Sequence, residues 1–267
     1  MTTRQGKCPG KLRVRVTRAV RGASLALGVA VSSATADAPR WDWQLSKADL
    51  SVTVSVLDLE PELVRASDVA ALKARSVFPI AYISVGTLEN WSPDVADFPA
   101  RVIGKTYGDW PDERFLDIRQ RDVLVPLMKA RFARAKALGF EAIEPDNLDL
   151  HINDTGFDLT ASDVVAYTRA LAEVAHGMGL EIGQKNVPDL TPDLMPYMDF
   201  AVTESCYQDG WCAQMAPYWT AGKPVYDAEY ADRPINWKKA CDQAQGFDIS
   251  MILKDRDLTA AALKSCQ

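Results

Sequence analysis

Apolar residues fall along this chain in two rhythms. Short, mostly apolar runs recur at Val52–Leu57, Ile80–Val85, Phe115–Ile118, Ala142–Pro145, Glu181–Lys185, Phe200–Glu204, Pro224–Tyr230 and Ile249–Leu253. Runs of this length, bounded by polar and turn-forming residues, predict buried strands. Between them the spacing becomes helical. Pro61–Ala74 carries apolar residues at Leu63, Val64, Val69 and Leu72, and Asp122–Leu138 carries them at Val123, Leu124, Leu127, Met128, Phe132 and Ala135. Gly139 supplies a stop for the second helix. Thr160-Ala161-Ser162-Asp163 opens a third helix like a capping box, and it runs through Met178 to Gly179. Eight strands alternating with helices predict an α/β fold, a single (β/α)₈ TIM barrel. A doubly wound open sheet is the alternative, but no G-x-G-x-x-G or P-loop follows any strand.

A barrel directs the C-terminal ends of its strands into one mouth. Asp58, Ser84, Asp117, Glu144, Asp146, Lys185, Asn186, Glu204 and Glu229 all fall at such ends. The densest point is Glu144-Pro145-Asp146-Asn147-Leu148-Asp149, where a strand pattern runs into three carboxylates. Like charges repel there and burial disfavours ionisation, and local rules are broken most often at functional sites. Two carboxylates from separate strands facing one cleft suit glycoside hydrolysis, one protonating the leaving oxygen and the other attacking carbon or activating water. Asp146 and Glu204 are the candidate catalytic pair. Asp149 is a candidate for holding Asp146 or contacting a sugar hydroxyl. Glu144 shares the face of Asp146 only if the strand persists through Pro145. Lys185, with Asn186 beside it, offers a cation that keeps one carboxylate ionised. Asp58, Tyr82, Ser84 and Glu229 are candidate hydrogen-bonding groups for substrate. Trp43 precedes the first expected strand, Trp91 and Trp110 lie in loops after the second, and Tyr207, Trp211 and Tyr230 follow later strands. Aromatic faces of this kind suit sugar rings and attract ammonium groups.

The N-terminal stretch changes the domain picture. Seven basic residues from Arg4 to Arg21 precede the apolar run Ala23–Val31, and Ala36-Asp37-Ala38 forms an A-x-A cleavage pattern. Residues 1–38 therefore read as a secretory signal peptide, too short in its apolar part to span a bilayer. Residues 39–267 are then the catalytic domain, secreted or periplasmic and monomeric. The net charge of the whole chain is −6. Removing seven basic residues and one acidic residue takes it to about −12. Such a balance disfavours nucleic acid and anionic membranes and favours neutral or cationic ligands. Of five cysteines, Cys8 lies in the signal region, which leaves Cys206, Cys212, Cys241 and Cys266. An even count in an exported chain predicts two disulfides. Three pairings are possible; Cys206–Cys212 and Cys241–Cys266 each close a local loop. Only two histidines occur, His151 and His176, and no zinc-module spacing. Asp146, Asp149 and His151 make the one candidate metal group, without a strong template. No metal or organic cofactor is expected. No G-x-S-x-G elbow or H-E-x-x-H is present.

Several segments together resemble glycoside hydrolase family 114: Trp41-Asp42-Trp43-Gln44-Leu45; Ala81-Tyr82-Ile83-Ser84-Val85-Gly86 with Glu89 and Trp91; Trp110–Arg119 including Asp117; Glu144–Asp149; and Glu204 followed by Cys206. Gly183-Gln184-Lys185-Asn186 is similar too, and the resemblance runs from about Trp41 to Tyr230. It implies a (β/α)₈ endo-α-1,4-polygalactosaminidase acting on galactosamine-containing polysaccharide such as galactosaminogalactan. It places the catalytic carboxylates on Asp146 and Glu204, the pair chosen above; the candidate substrate contacts beside them are Trp43, Asp58, Tyr82, Ser84, Glu89, Trp91, Asp117, Asp149, Lys185, Asn186, Tyr207, Glu229 and Tyr230. The strand before Glu144 departs from the family's usual Asp-Gly-Val by reading Glu141-Ala142-Ile143, and Thr203 stands where Asn is usual. A non-catalytic carbohydrate-binding barrel and a metal-dependent hydrolase are the competing readings.

Overall fold

The computed structural model describes residues 40–108, 110–261 and 264–266. The expected signal peptide lies outside them. Twelve strands follow one another along the described residues: β1 (Trp41–Gln44), β2 (Val56–Leu59), β3 (Phe78–Ser84), β4 (Thr87–Glu89), β5 (Ile103–Tyr107), β6 (Trp110–Leu116), β7 (Ala142–Asp146), β8 (Glu181–Lys185), β9 (Phe200–Glu204), β10 (Val225–Tyr230), β11 (Ile249–Lys254) and β12 (Lys264–Ser265). Their helices are α1 (Ala66–Ala74), α2 (Arg121–Leu138), α3 (Ala161–Gly177), α4 (Thr191–Leu194), α5 (Ala216–Thr220) and α6 (Trp237–Phe247).

The main sheet runs β1-β2-β3-β7-β8-β9-β10-β11-β12. Its first eight strands are parallel, and β12 pairs antiparallel with β11. Lys254 at the end of β11 donates to Asp42 of β1 at 2.6 Å, so the first and eighth parallel strands meet. This is the TIM-barrel-like (β/α) fold expected. Alternation along the strands divides the apolar residues into two clusters. Trp41, Trp43, Val56, Ile80, Tyr82, Ala142, Phe200, Val202, Tyr226, Ala228 and Tyr230 fill one. Their strand neighbours Leu57, Leu59, Ala81, Ile83, Ile143, Ile182, Ala201 and Val225 join the helices in the other. The first set is the barrel interior, the second the layer between sheet and helices.

The helices follow their sequence signals. Thr160 Oγ1 accepts from Asp163 N at 3.3 Å while Asp163 Oδ2 accepts from Thr160 N at 2.9 Å, a reciprocal cap for α3. Gly139 ends α2 at φ 106°, a left-handed conformation that glycine adopts without steric cost. Expected Pro61–Ala74 divides. Pro61–Leu63 is a separate 3₁₀ turn, and α1 begins after Arg65, whose N–H donates to Asp68 at 2.9 Å. No helix among the described residues is long and apolar enough to cross a membrane.

Three strand expectations need correction. Trp41–Gln44, read as a segment before the first strand, is itself the first barrel strand. Its apolar run is interrupted by Asp42 and Gln44, both fully buried, and these satisfy each other through a 2.7 Å hydrogen bond. The expected Val52–Leu57 strand moves to Val56–Leu59. Conversely, Phe115–Ile118 is not a barrel strand. Phe115 and Leu116 end β6, which pairs antiparallel with β4 and β5 in a three-stranded sheet inserted between β3 and α2. Their burial comes from packing in the outer apolar cluster.

Candidate active site

Asp146, Lys185 and Glu204 are the last residues of β7, β8 and β9. The residue after each, Asn147 (φ 63°), Asn186 (φ 49°) and Ser205 (φ 57°), turns into the left-handed region. That turn stops each strand at its candidate site residue, and two of the three positions use Asn, which tolerates this backbone best after glycine. Pro145 leaves β7 intact. It pairs with Ile83, so Glu144 and Asp146 keep the same face as Ala142.

Lys185 is the centre of the arrangement. It is 1% exposed and its Nζ lies 2.9 Å from Glu144 Oε1, 2.9 Å from Asp146 Oδ1 and 3.2 Å from Glu204 Oε2. The same nitrogen sits 4.4 Å from the ring centroid of Trp43. Burial pulls the ammonium down, but Asp146, Glu144 and Glu204 outweigh it and hold Lys185 well above the usual lysine range. The two candidate catalytic carboxylates have further partners. Tyr82 Oη donates to Asp146 Oδ2 at 2.9 Å. Tyr230 Oη donates to Glu204 Oε1, Asn186 Nδ2 donates to Glu204 Oε2 at 3.2 Å, and Glu204 N donates back to Asn186 Oδ1 at 2.8 Å.

A cavity of about 670 Å³ opens over these groups. Among the residues singled out from sequence, it brings together Trp43, Tyr82, Glu89, Trp91, Asp146, Asp149, Lys185, Asn186, Glu204 and Tyr230. Five other expected substrate contacts do not reach it. Glu229 lies on the opposite face of β10 from Ala228 and Tyr230, and its carboxylate accepts from the backbone N–H groups of Tyr207 and Gln208 at 2.6 and 3.0 Å. Tyr207 is held in that same turn. Asp117 follows β6 and is bound by Arg119 at 2.7 Å, at the start of α2. Ser84 faces inward but is roofed by Thr87 and by Asn147, whose Nδ2 donates to it at 2.9 Å. Asp58 is fully buried in the barrel interior beside Glu144.

Sequence reading missed Glu60, Tyr107, Glu113, Asn147 and Arg256 in the wall, and named Trp110 only as a nearby aromatic. Tyr107, Trp110 and Glu113 come from the antiparallel insertion, whose place over the mouth no local pattern announces. Arg256, stacked 3.6 Å from the Tyr230 ring centroid, follows β11, and its approach to the mouth depends on barrel closure. The wall is strongly acidic. Burial raises Glu60 to about 7 and Glu89 to about 8, each with a neighbouring carboxylate adding to the rise. Burial also raises Glu113 and Asp149, the latter holding Asn153 Nδ2 at 2.9 Å.

The residues proposed as metal ligands are otherwise engaged. His151 Nε2 is 2.8 Å from Asp189. Among the described residues Cys206, Asp227 and Glu229 converge at ligand spacing. However, Cys206 is in a disulfide with Cys212, and disulfide sulfur is not the thiolate a metal needs. The second disulfide joins Cys241 and Cys266, so both bridges are the ones that close local loops.

The sequence matches the profile described as Glycoside-hydrolase family GH114 over residues 26–267. No curated protein matches it. Among solved structures, Ega3 from Aspergillus fumigatus, determined in complex with galactosamine, is 31% identical, with a TM-score of 0.80 over 86% of this chain and 95% of that one. The glycoside hydrolase domain of PelA from Pseudomonas aeruginosa, 15% identical, shares the fold with a TM-score of 0.65 over 84% of this chain and 97% of its own.

Proposed function

The chain belongs to glycoside-hydrolase family GH114 and is a glycoside hydrolase; from that premise we propose that it cleaves internal α-1,4 linkages of galactosamine-containing polysaccharide, with Asp146 and Glu204 as its catalytic carboxylates. One observation carries this reading: a single buried ammonium, Lys185, touches both carboxylates, one from β7 and one from β9. Their bonded oxygens can be no further apart than those two contacts laid end to end. That close approach is nearer the about 5–5.5 Å of retaining glycosidases than the about 6.5–9.5 Å of inverting ones. It favours hydrolysis with retention. Asp146, the less exposed of the pair at 18% against 29% and gripped by Tyr82 and Lys185, is the nucleophile. It attacks the anomeric carbon as the glycosidic bond breaks, and Glu204 gives its proton to the leaving oxygen. Water then attacks the glycosyl-enzyme bond, returning a proton to Glu204 and freeing Asp146.

The substrate class has two supports. Trp91 and Trp110, 53% and 54% exposed, line the same cavity and offer open faces to sugar rings along a polymer. The surrounding carboxylates suit ammonium groups, and the similar Ega3 holds galactosamine. Export after removal of residues 1–38 is part of the proposal, and the two disulfides are at home in an oxidising compartment.

The test is reducing-end release from deacetylated galactosaminan. Asp146→Asn and Glu204→Gln should each lower kcat/KM by about 10³-fold or more. Azide added to Asp146→Gly should yield the β-glycosyl azide, and added to Glu204→Gly the α-glycosyl azide. Near wild-type hydrolysis by both amide variants would sink the assignment, and interchanged azide products would reverse the two roles.

A further inference from the structure

Below the mouth lies a pair of acids that the reaction above does not use. Asp58 on β2 and Glu144 on β7 are both fully buried. The two Asp58 oxygens and Glu144 Oε2 have no side-chain donor when both acids are ionised, with only the Leu59 backbone N–H approaching Asp58, yet the two carboxyls lie within hydrogen-bonding reach of each other. Two facing buried carboxylates without donors are costly, and one shared proton turns the clash into an O–H···O⁻ bond. Only Glu144 touches the ammonium of Lys185, at 2.9 Å, which favours charge on Glu144 and the proton on Asp58.

The geometry of Lys185 gives this pair a purpose. An ammonium has three donors, and here three carboxylates claim them: Glu144 from below, Asp146 and Glu204 from the mouth. The Trp43 face lies against the same nitrogen. Glu144 is thus the one of these three carboxylates that is not itself a proposed catalytic group.

We propose that Asp58 and Glu144 are a positioning pair for the hydrolysis: Asp58 keeps one proton and donates it to Glu144, whose charge fixes Lys185 between Asp146 and Glu204. This rests on the function proposed above. Burial, then the charge of Glu144, hold Asp58 well above the carboxylate range, in keeping with it. The charged or titratable groups facing the pair are Lys185 from β8, Asp146 beyond it on β7, Tyr82 from β3 and Tyr226 from β10.

The experiment is the pH profile of kcat and kcat/KM for the full chain, Asp58→Asn and Glu144→Gln on deacetylated galactosaminan, with thermal unfolding alongside. Asp58→Asn replaces a neutral donor by a neutral donor, so both limbs should stay within about 0.2 pH unit of wild type. Glu144→Gln removes a negative charge and leaves Lys185 to the catalytic pair alone. Both effects favour ionised Asp146 and Glu204, so both limbs should move about one unit to lower pH. Its kcat should fall about 10- to 100-fold with little change in KM, as expected when an interaction made in the transition state is lost. An Asp58→Asn profile displaced as far as that of Glu144→Gln would overturn the proposal. So would a Glu144→Gln enzyme that is less stable but has unmoved limbs. If Glu144→Gln does not fold, the infrared difference between wild type and Asp58→Asn at neutral pH decides. A protonated-carboxyl stretch lost in the variant supports the pair, and its absence overturns it. A wild type that releases no reducing ends would instead sink the function, while the infrared result still places the proton.

Discussion

At Gly86 a side chain is excluded by contact rather than by backbone angle. A Cβ there would lie 1.7 Å from the carbonyl oxygen of Asn147, and the Gly86 N–H donates to the carbonyl of Asp146 at 3.2 Å. Gly86→Ala must therefore push the β7 terminus away, and a displacement of about 1 Å at a reacting group costs about 10²-fold. We expect kcat for galactosaminan hydrolysis to drop by that order while the folded protein keeps its circular-dichroism spectrum. The single-residue chemistry of the site was partly open to reading from sequence. Asp146, Lys185 and Glu204 end apolar runs, and such a break in pattern is visible without a structure. Glu229 also ends a run, but it faces the helix layer, because a strand's register decides its side and one position of slip reverses it. Asp117 ends a run that belongs to no barrel strand.

Among the elements, β7, β8 and β9 were legible because each carries a short buried apolar run, Ala142-Ile143, Ile182-Gly183 and Phe200-Ala201-Val202, before its polar end. β1 was not, since buried Asp42 and Gln44 satisfy one another within the strand. The antiparallel insertion carries a long charged strand, Trp110–Leu116, which pairs with the adjacent β5 and the earlier β4, but its exposed, charged face lacks the apolar alternation that marks a strand. The C-terminal segment is tied to the barrel by β12 and by the Cys241–Cys266 disulfide, which spans 25 positions against 6 for Cys206–Cys212. In the chain-entropy view the longer loop is worth about 3.5 kcal/mol and the shorter about 2.2 kcal/mol. Chemical denaturation of Cys241→Ser/Cys266→Ser should therefore show the larger loss of stability, and a larger loss from Cys206→Ser/Cys212→Ser would show that native-state packing at the β9 terminus outweighs loop length.

For the molecule as a whole, the acidic mouth couples stability to pH. Glu60 and Glu89 titrate at about 7 and about 8 when folded, mainly through burial, against about 4.3 for an unperturbed glutamate. Between those values the native state binds more protons than the unfolded one, so this contribution falls as pH rises from about 4.3 and is lost above about 8. The unfolding temperature should decline across that window. Replacing both residues by Gln should flatten the decline and leave the midpoint near pH 4 little changed, as scanning calorimetry at several pH values would show. The left-handed residues after β7, β8 and β9 bear on the barrel's history as well as its chemistry. Each marks a joint between a strand that holds the fold and a loop that does not. Loops beyond such joints can lengthen, shrink or be exchanged while Asp146, Lys185 and Glu204 keep their places. The barrel is in that sense evolvable: on the proposed assignment, changes in the loops alter the choice of polymer without moving the pair that breaks the glycosidic bond.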